Sequence, residues 1–307
     1  MVLVFAPDGF PEVTPTTDLA AEIDRAVADD EHGPLQPGDI VVVTSKIVSK
    51  AEGRYAEAQD REAAISAEST AVVARRGAMR IVRTRTGLTI AAAGVDSSNV
   101  ERGRILLLPV DPDASAARLA TALGAAADGE VGVIVSDTAG RPWRLGQTDH
   151  AIGAAGVRVL ESYAGRVDGY GNELAVTTMA LGDELAAAAD LVKSKLAGRP
   201  VAVIRGLGEL VGPPGSVAGA ASIVRTGRDD LFSHGSREAV LAALCRTLGV
   251  PQAYEDLLGG DPETVAERLL ARATPPTDPA ALVRALLAEA EALGRDAETG
   301  DLGERQA

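Results

Sequence analysis

The sequence predicts an α+β protein with mixed, partly antiparallel sheets and packed helices. Three observations lead there. Short Val- and Ile-rich runs bounded by Gly, Pro or Asp recur along the chain as far as Arg205. They are interleaved with stretches of helical periodicity, but without the even spacing of a doubly wound sheet. Two of the runs lie so close together, joined around Thr86-Gly87, that they read as a hairpin, which brings antiparallel pairing into the architecture.

In chain order, the apolar start at 2–5 reads as a strand, and 18–28 carries helical spacing. The run 39–44 is a buried strand, since Ile40-Val41-Val42-Val43 leaves no polar face. Helical spacing returns over 61–76, followed by the hairpin strands 80–85 and 88–92. A helix over 114–126 has Asp113 as its expected N-terminal cap. Strand 131–136, helix 182–196 and strand 201–205 complete the alternation. Composition shifts after Phe232, where helical runs at 238–248 and 280–293 are joined by turn-rich segments such as Gly259-Gly260-Asp261-Pro262. The expected organisation is therefore a body over 1–232, a helical C-terminal extension over 233–295 and a polar, disordered tail over 296–307. The extension shows no recognisable chemistry.

Composition narrows the functional classes. A net charge of −14 argues against a duplex-DNA binder, which needs surplus Lys and Arg for phosphates. Aromatic residues make up 3% of the chain, too few for base-stacking platforms. Half of the negative surplus lies after Val250, so the body is only mildly acidic and leaves room for a basic pocket. Cys245 is the single cysteine, which excludes an intrachain disulfide and a thiolate zinc cluster and fits a reducing compartment. Its setting among Leu and Ala marks it as a core residue. The N-terminus lacks the pattern of a signal peptide and no run is long enough to span a membrane, so a soluble, cytoplasmic protein is expected.

Four polar segments follow strands, where open sheets keep their ligand sites. Thr44-Ser45-Lys46-Ile47-Val48-Ser49-Lys50 offers hydroxyls and two ammonium groups suited to an anion, or else a solvated strand end. Ala93-Gly94-Val95-Asp96-Ser97-Ser98-Asn99 places a carboxylate and an amide near one another, which is also the pattern of an Asx turn. Ser136-Asp137-Thr138-Ala139-Gly140-Arg141 puts a carboxylate at the end of a buried run, a costly position unless it is paired or metal-bound. Asp and Thr are hard oxygen ligands of the kind Mg²⁺ and Mn²⁺ take. Arg205-Gly206-Leu207-Gly208-Glu209-Leu210-Val211 suggests a dinucleotide fingerprint only superficially, because Val211 stands where the third glycine belongs. It reads as a mobile loop. No P-loop, H-E-x-x-H or nucleophile elbow is present, and His150 reads as a satisfied polar residue.

Taken together, the first three of these segments resemble the coenzyme F420-0:L-glutamate ligase family (F420 γ-glutamyl ligase). Further matches are Asp168-Gly169-Tyr170-Gly171-Asn172-Glu173-Leu174 and the Ala-rich helix around 183–190, and the resemblance runs in order over roughly 2–232. It implies an intertwined homodimer of α+β fold that forms an amide bond between L-glutamate and coenzyme F420-0, at the cost of GTP. It also implies Mn²⁺ or Mg²⁺, two ions per site, with K⁺ as a further cofactor. Carried over residue by residue, Phe10, Pro11, Glu12 and Val13 would contact GTP together with Ser45, Lys50 and Asn99. Asp96 and Asp137 would ligate one metal and Thr138 a second, with Lys50, Asp96 and Asp137 as the catalytic set. The chain departs from the family at Val192-Lys193-Ser194-Lys195-Leu196, which has no carboxylate where some members place a second-metal glutamate. A C-terminal flavin-binding domain, fused in some members, is not expected. Two other readings stay open: a nucleotide-dependent carboxylate–amine ligase with a different acceptor, and a non-catalytic nucleotide-binding protein.

Overall fold

The computed structural model of the chain describes residues 1–225, 230, 232–258, 260–273 and 278–295. The tail expected over 296–307 lies outside the described residues. In chain order the elements begin with β1 (Leu3–Phe5), α1 (Leu19–Ala28), β2 (Ile40–Thr44), α2 (Ser45–Ala51), β3 (Tyr55–Glu57), α3 (Arg61–Ala67), β4 (Ser69–Arg76), β5 (Met79–Thr84) and β6 (Thr89–Ala91). They continue with β7 (Arg104–Leu106), α4 (Pro112–Ala126), β8 (Gly132–Arg141), β9 (Arg144–Ala155) and four two-residue strands, β10 (Glu161–Ser162), β11 (Arg166–Val167), β12 (Glu173–Leu174) and β13 (Thr178–Met179). The last are α5 (Leu181–Lys193), β14 (Val201–Arg205), α6 (Ser236–Thr247), α7 (Tyr254–Leu257), α8 (Pro262–Arg272) and α9 (Pro279–Arg295). The mixed, partly antiparallel α+β architecture is as the sequence predicts.

The chain forms two compact units, one of residues 1–68 and 93–224, the other of 69–92 and 225–307. The first is built on a five-stranded sheet in the order β1-β14-β2-β8-β9. Only β2 and β8 run parallel; the other neighbours are antiparallel. Both faces are covered, which is why the strands read as continuous apolar runs. Even-numbered residues Ile40, Val42 and Ile134 pack with Ala202 and Ile204 against Leu185, Ala186 and Ala189 of α5. Val41, Val43, Val133 and Val135 point the opposite way and are fully buried. Helix α4 also packs on β8 and β9. Gly153 is required there, since a Cβ would lie 2.3 Å from the carbonyl oxygen of Pro112.

The second unit holds the antiparallel sheet β4-β5-β6 and the C-terminal helices. Its core includes Leu241, Cys245, Val250, Leu257 and Leu269, with Cys245 fully buried as expected. Glu238 is buried and accepts a hydrogen bond from the backbone N–H of Arg75.

Three local expectations are corrected. The helix expected over 61–76 stops at Ala67, and Ser69–Arg76 is strand β4. The β-branched residues Thr70, Val72 and Val73 favour extended backbone, and the strand pairs with β5 from Ser69↔Thr84 to Arg76↔Met79, which outweighs the helical spacing of the apolar positions. The cap of α4 is Asp111, not Asp113; its carboxylate accepts from the N–H of Ala114. Asp113 instead accepts from the N–H groups of Ala154, Ala220 and Ala221, tying α4 to β9 and the segment after the sheet. The segment after β2 is not a solvated strand end but the short helix α2, most of whose residues are buried.

Candidate functional site

Helix α2 is the spine of the site. Thr44 is the last residue of β2 and Ser45 the first of α2, so the chain turns from strand to helix with no spacer. Lys46 and Lys50 fall four residues apart and therefore on one side of the helix. Lys46 Nζ lies 2.6 Å from Asp96 Oδ2 and also reaches the Ser98 hydroxyl. Lys50, 5% exposed, is bonded to Glu12. The two ammonium groups thus fasten the Asp96 loop and the N-terminal turn to α2.

The Asp96 loop is held by backbone pairing and by its own carboxylate. Asp96 exchanges hydrogen bonds with Leu106 across a β-bridge. Its Oδ1 accepts from Ser98 N at 2.8 Å and its Oδ2 from Ser98 Oγ at 2.8 Å, the Asx geometry expected of such a segment. Burial pushes the Asp96 carboxyl up, but Lys46 and the two Ser98 bonds outweigh it and hold it below the ordinary value. Asn99 follows in left-handed conformation, φ 56°, which asparagine tolerates better than most residues, and it is exposed.

Asp137 lies inside a strand rather than on a loop, because β8 continues to Arg141 and pairs with β9 throughout. Its Oδ1 accepts a 2.7 Å bond from Ser45 Oγ. Desolvation raises its pKa to about 6 despite that bond; the charges of Asp149 and Asp96 push the same way, and Lys46 opposes them. Directly across the ladder stands His150, on the same face of the sheet. The expectation that His150 is satisfied is corrected: its Nδ1 is buried with no hydrogen-bond partner.

Thr138 is the next residue along β8, and neighbouring strand residues face opposite ways. Its hydroxyl donates to Asp149 Oδ1 at 2.7 Å. Asp149 Oδ2 accepts from Ser136 Oγ at 2.8 Å and from Lys193 Nζ at 2.8 Å, and Lys193 also donates to Ser136 Oγ at 2.9 Å. Asp149 and Lys193 are 3% and 4% exposed. Burial pushes Asp149 up, yet Lys193 and the two hydroxyls bring it below its ordinary value.

The structure therefore joins Glu12 with Lys50, and Ser45 with Asp137. Lys46 sits between Asp96, which it touches, and Asp137, whose charged form it favours. Phe10 and Pro11 are on the same N-terminal turn as Glu12, while Val13 is buried in the core. Thr138 is set apart, on the other face of β8. The sequence reading gave Lys46 as an anion-binding candidate rather than as the partner of Asp96, and it missed Asp149 and the role of Lys193. Lys193 had a signal: it continues the stripe Leu185, Ala186, Ala189 on the buried side of α5, where a lysine is out of place without a partner.

The cluster thus sets two carboxylates, Asp96 and Asp137, beside the Lys46 ammonium and the Ser45 hydroxyl. A sequence model of the F420-0:Gamma-glutamyl ligase family matches residues 9–76 and 63–206, and the chain belongs to that family. It is 37% identical over 241 residues to the Coenzyme F420:L-glutamate ligase of Methanopyrus kandleri, covering 72% of this chain and 93% of that protein. The protein of the same name from Halorubrum lacusprofundi is 40% identical over 227 residues (66% and 86% covered), and that of Archaeoglobus fulgidus 35% over 225 (67% and 88%).

Proposed function

We propose that this chain joins L-glutamate to coenzyme F420-0 through an amide bond, with GTP as phosphoryl donor. A carboxylate is a poor acyl donor, so it must first be activated. The coenzyme carboxylate attacks the γ-phosphorus of GTP, forming an acyl phosphate and releasing GDP. The amine of glutamate then attacks the acyl carbon, loses a proton and expels phosphate. Two anions must be brought together in this reaction, and positioning plus charge neutralisation supply most of what the protein contributes.

The observation that carries the reading is the arrangement of Ser45, Lys46 and Lys50 on one short helix, facing Asp137, Asp96 and Glu12. Lys50 and Ser45, with Asn99 and the turn Phe10-Pro11-Glu12-Val13, would hold the nucleotide. Lys46 pairs with Asp96 and keeps it ionised. The two carboxylates fit a hard divalent ion, Mn²⁺ or Mg²⁺. Among the described residues no group of three or more His, Cys, Asp or Glu side chains could hold a metal alone, and such ions are commonly bound by one or two carboxylates plus substrate phosphates. The ion would neutralise phosphate charge. A homodimer and a non-catalytic role for residues 233–295 complete the reading, as does cytoplasmic location; no described helix is long and apolar enough to cross a membrane.

Incubation with GTP, Mn²⁺, L-glutamate and coenzyme F420-0, followed by mass spectrometry, tests it. The expected product is heavier than the precursor by one or more glutamyl residues. GTP binding without that increment would overturn the assignment in favour of a ligase with another acceptor or a nucleotide-binding protein.

A further inference from the structure

The family resemblance implies two divalent ions per site, and the second does not fit this chain. Its one named ligand, Thr138, points to the face of β8 where Asp149 is already neutralised. The Asp149 carboxylate accepts three hydrogen bonds, at 2.7, 2.8 and 2.8 Å, one of them from a full positive charge. That charge is fixed from both ends. Lys193 is the last residue of α5, so its ammonium benefits from the negative end of the helix as well as from Asp149. Its stem is buried along the same stripe as Leu185 and Ala189. A divalent ion at Thr138 would have to sit beside this ammonium or displace a cation that is cut off from water, and either is strongly unfavourable in a buried setting.

We propose that the Lys193 ammonium takes the place of the second cation, so that each protomer with bound nucleotide holds one divalent ion, at Asp96 and Asp137. This rests on the nucleotide-and-metal reading of the site given above. A tethered cation at this position is permanent, whereas a metal there would exchange with solvent. The arrangement also leaves Ser136 and Thr138 as a fixed pair of donors behind Asp137.

The test counts bound Mn²⁺ by electron paramagnetic resonance of free ion during titration, in the presence of β,γ-imido GTP. Wild-type protein is expected to bind one nucleotide-dependent Mn²⁺ per protomer. Two such ions would overturn the inference while leaving the proposed function intact. None would overturn both. Lys193→Met, which removes the charge and keeps an apolar stem, is expected to raise the count to two; a count that stays at one overturns the inference. Adding Asp149→Asn to Lys193→Met is expected to return the count to one, and a count of two would place the extra ion elsewhere and overturn the inference as well. The wild-type count decides independently of how well either variant folds.

Discussion

Asp137 and Asp149 sit on neighbouring strands and differ in what meets their charge. Asp137 faces α2, where it accepts a hydrogen bond from the neutral hydroxyl of Ser45, and its pKa rises to about 6. Asp149 faces α5, where an ammonium and two hydroxyls saturate it and its pKa falls. The hydrogen-bonded partner of the first carboxylate is neutral, whereas the second is already in contact with a cation. Residue type alone would have assigned both to the same role. What meets each charge distinguishes the carboxylate proposed to take a metal from the one paired within the fold.

Breaking each side separately should give opposite kinds of damage. The largest effect on turnover is expected from Asp137→Asn: about 10³-fold loss of glutamylation rate, the scale for removing a main electrostatic contact at a reacting site. The folded state should persist, as circular dichroism would show, since the variant relieves a desolvated charge. Lys193→Ala should do the reverse. It strands Asp149 as a buried uncompensated charge and is expected to cost about 3–5 kcal/mol of stability in urea denaturation. Lys193→Ala/Asp149→Ala together should recover much of that loss.

A smaller effect sharpens the same contrast. Lys50→Ala is expected to raise the KM for GTP about tenfold, the equivalent of about 1.4 kcal/mol, with less change in kcat. Initial rates at varied GTP would measure it. Smallest of all, Glu238→Gln in the second compact unit should leave the glutamylation rate within about twofold, because its hydrogen bond to Arg75 N shares no partner with the site residues.

Much of this layout is legible in the amino-acid sequence. Val and Ile runs bounded by breakers located the sheet strands, and helical spacing over 18–28 located α1, which Asp18 caps by accepting from Ala21 N. What local spacing could not show was where one period gives way to another. The apolar positions of 61–76 fit a helix until the partner strand β5 is known. Asp149 and Lys193 escaped notice for a similar reason: they are 44 residues apart, and only sheet register together with the buried side of α5 brings them into contact. Asp113 illustrates the ambiguity of capping signals. With Asp111 and Pro112 just before it, either aspartate could cap the helix, and only the nearby backbone N–H groups of Ala154 and Ala220 decide that Asp113 does something else.

The central claim is that the α2-facing carboxylates, and not the Asp149 network, carry the chemistry. It is tested most directly by mass spectrometry of coenzyme F420-0 incubated with L-glutamate, GTP and Mn²⁺, using wild type and folded Asp137→Asn side by side. The account predicts a glutamyl mass increment with wild type and essentially none with the variant. A near-normal increment with Asp137→Asn would contradict it.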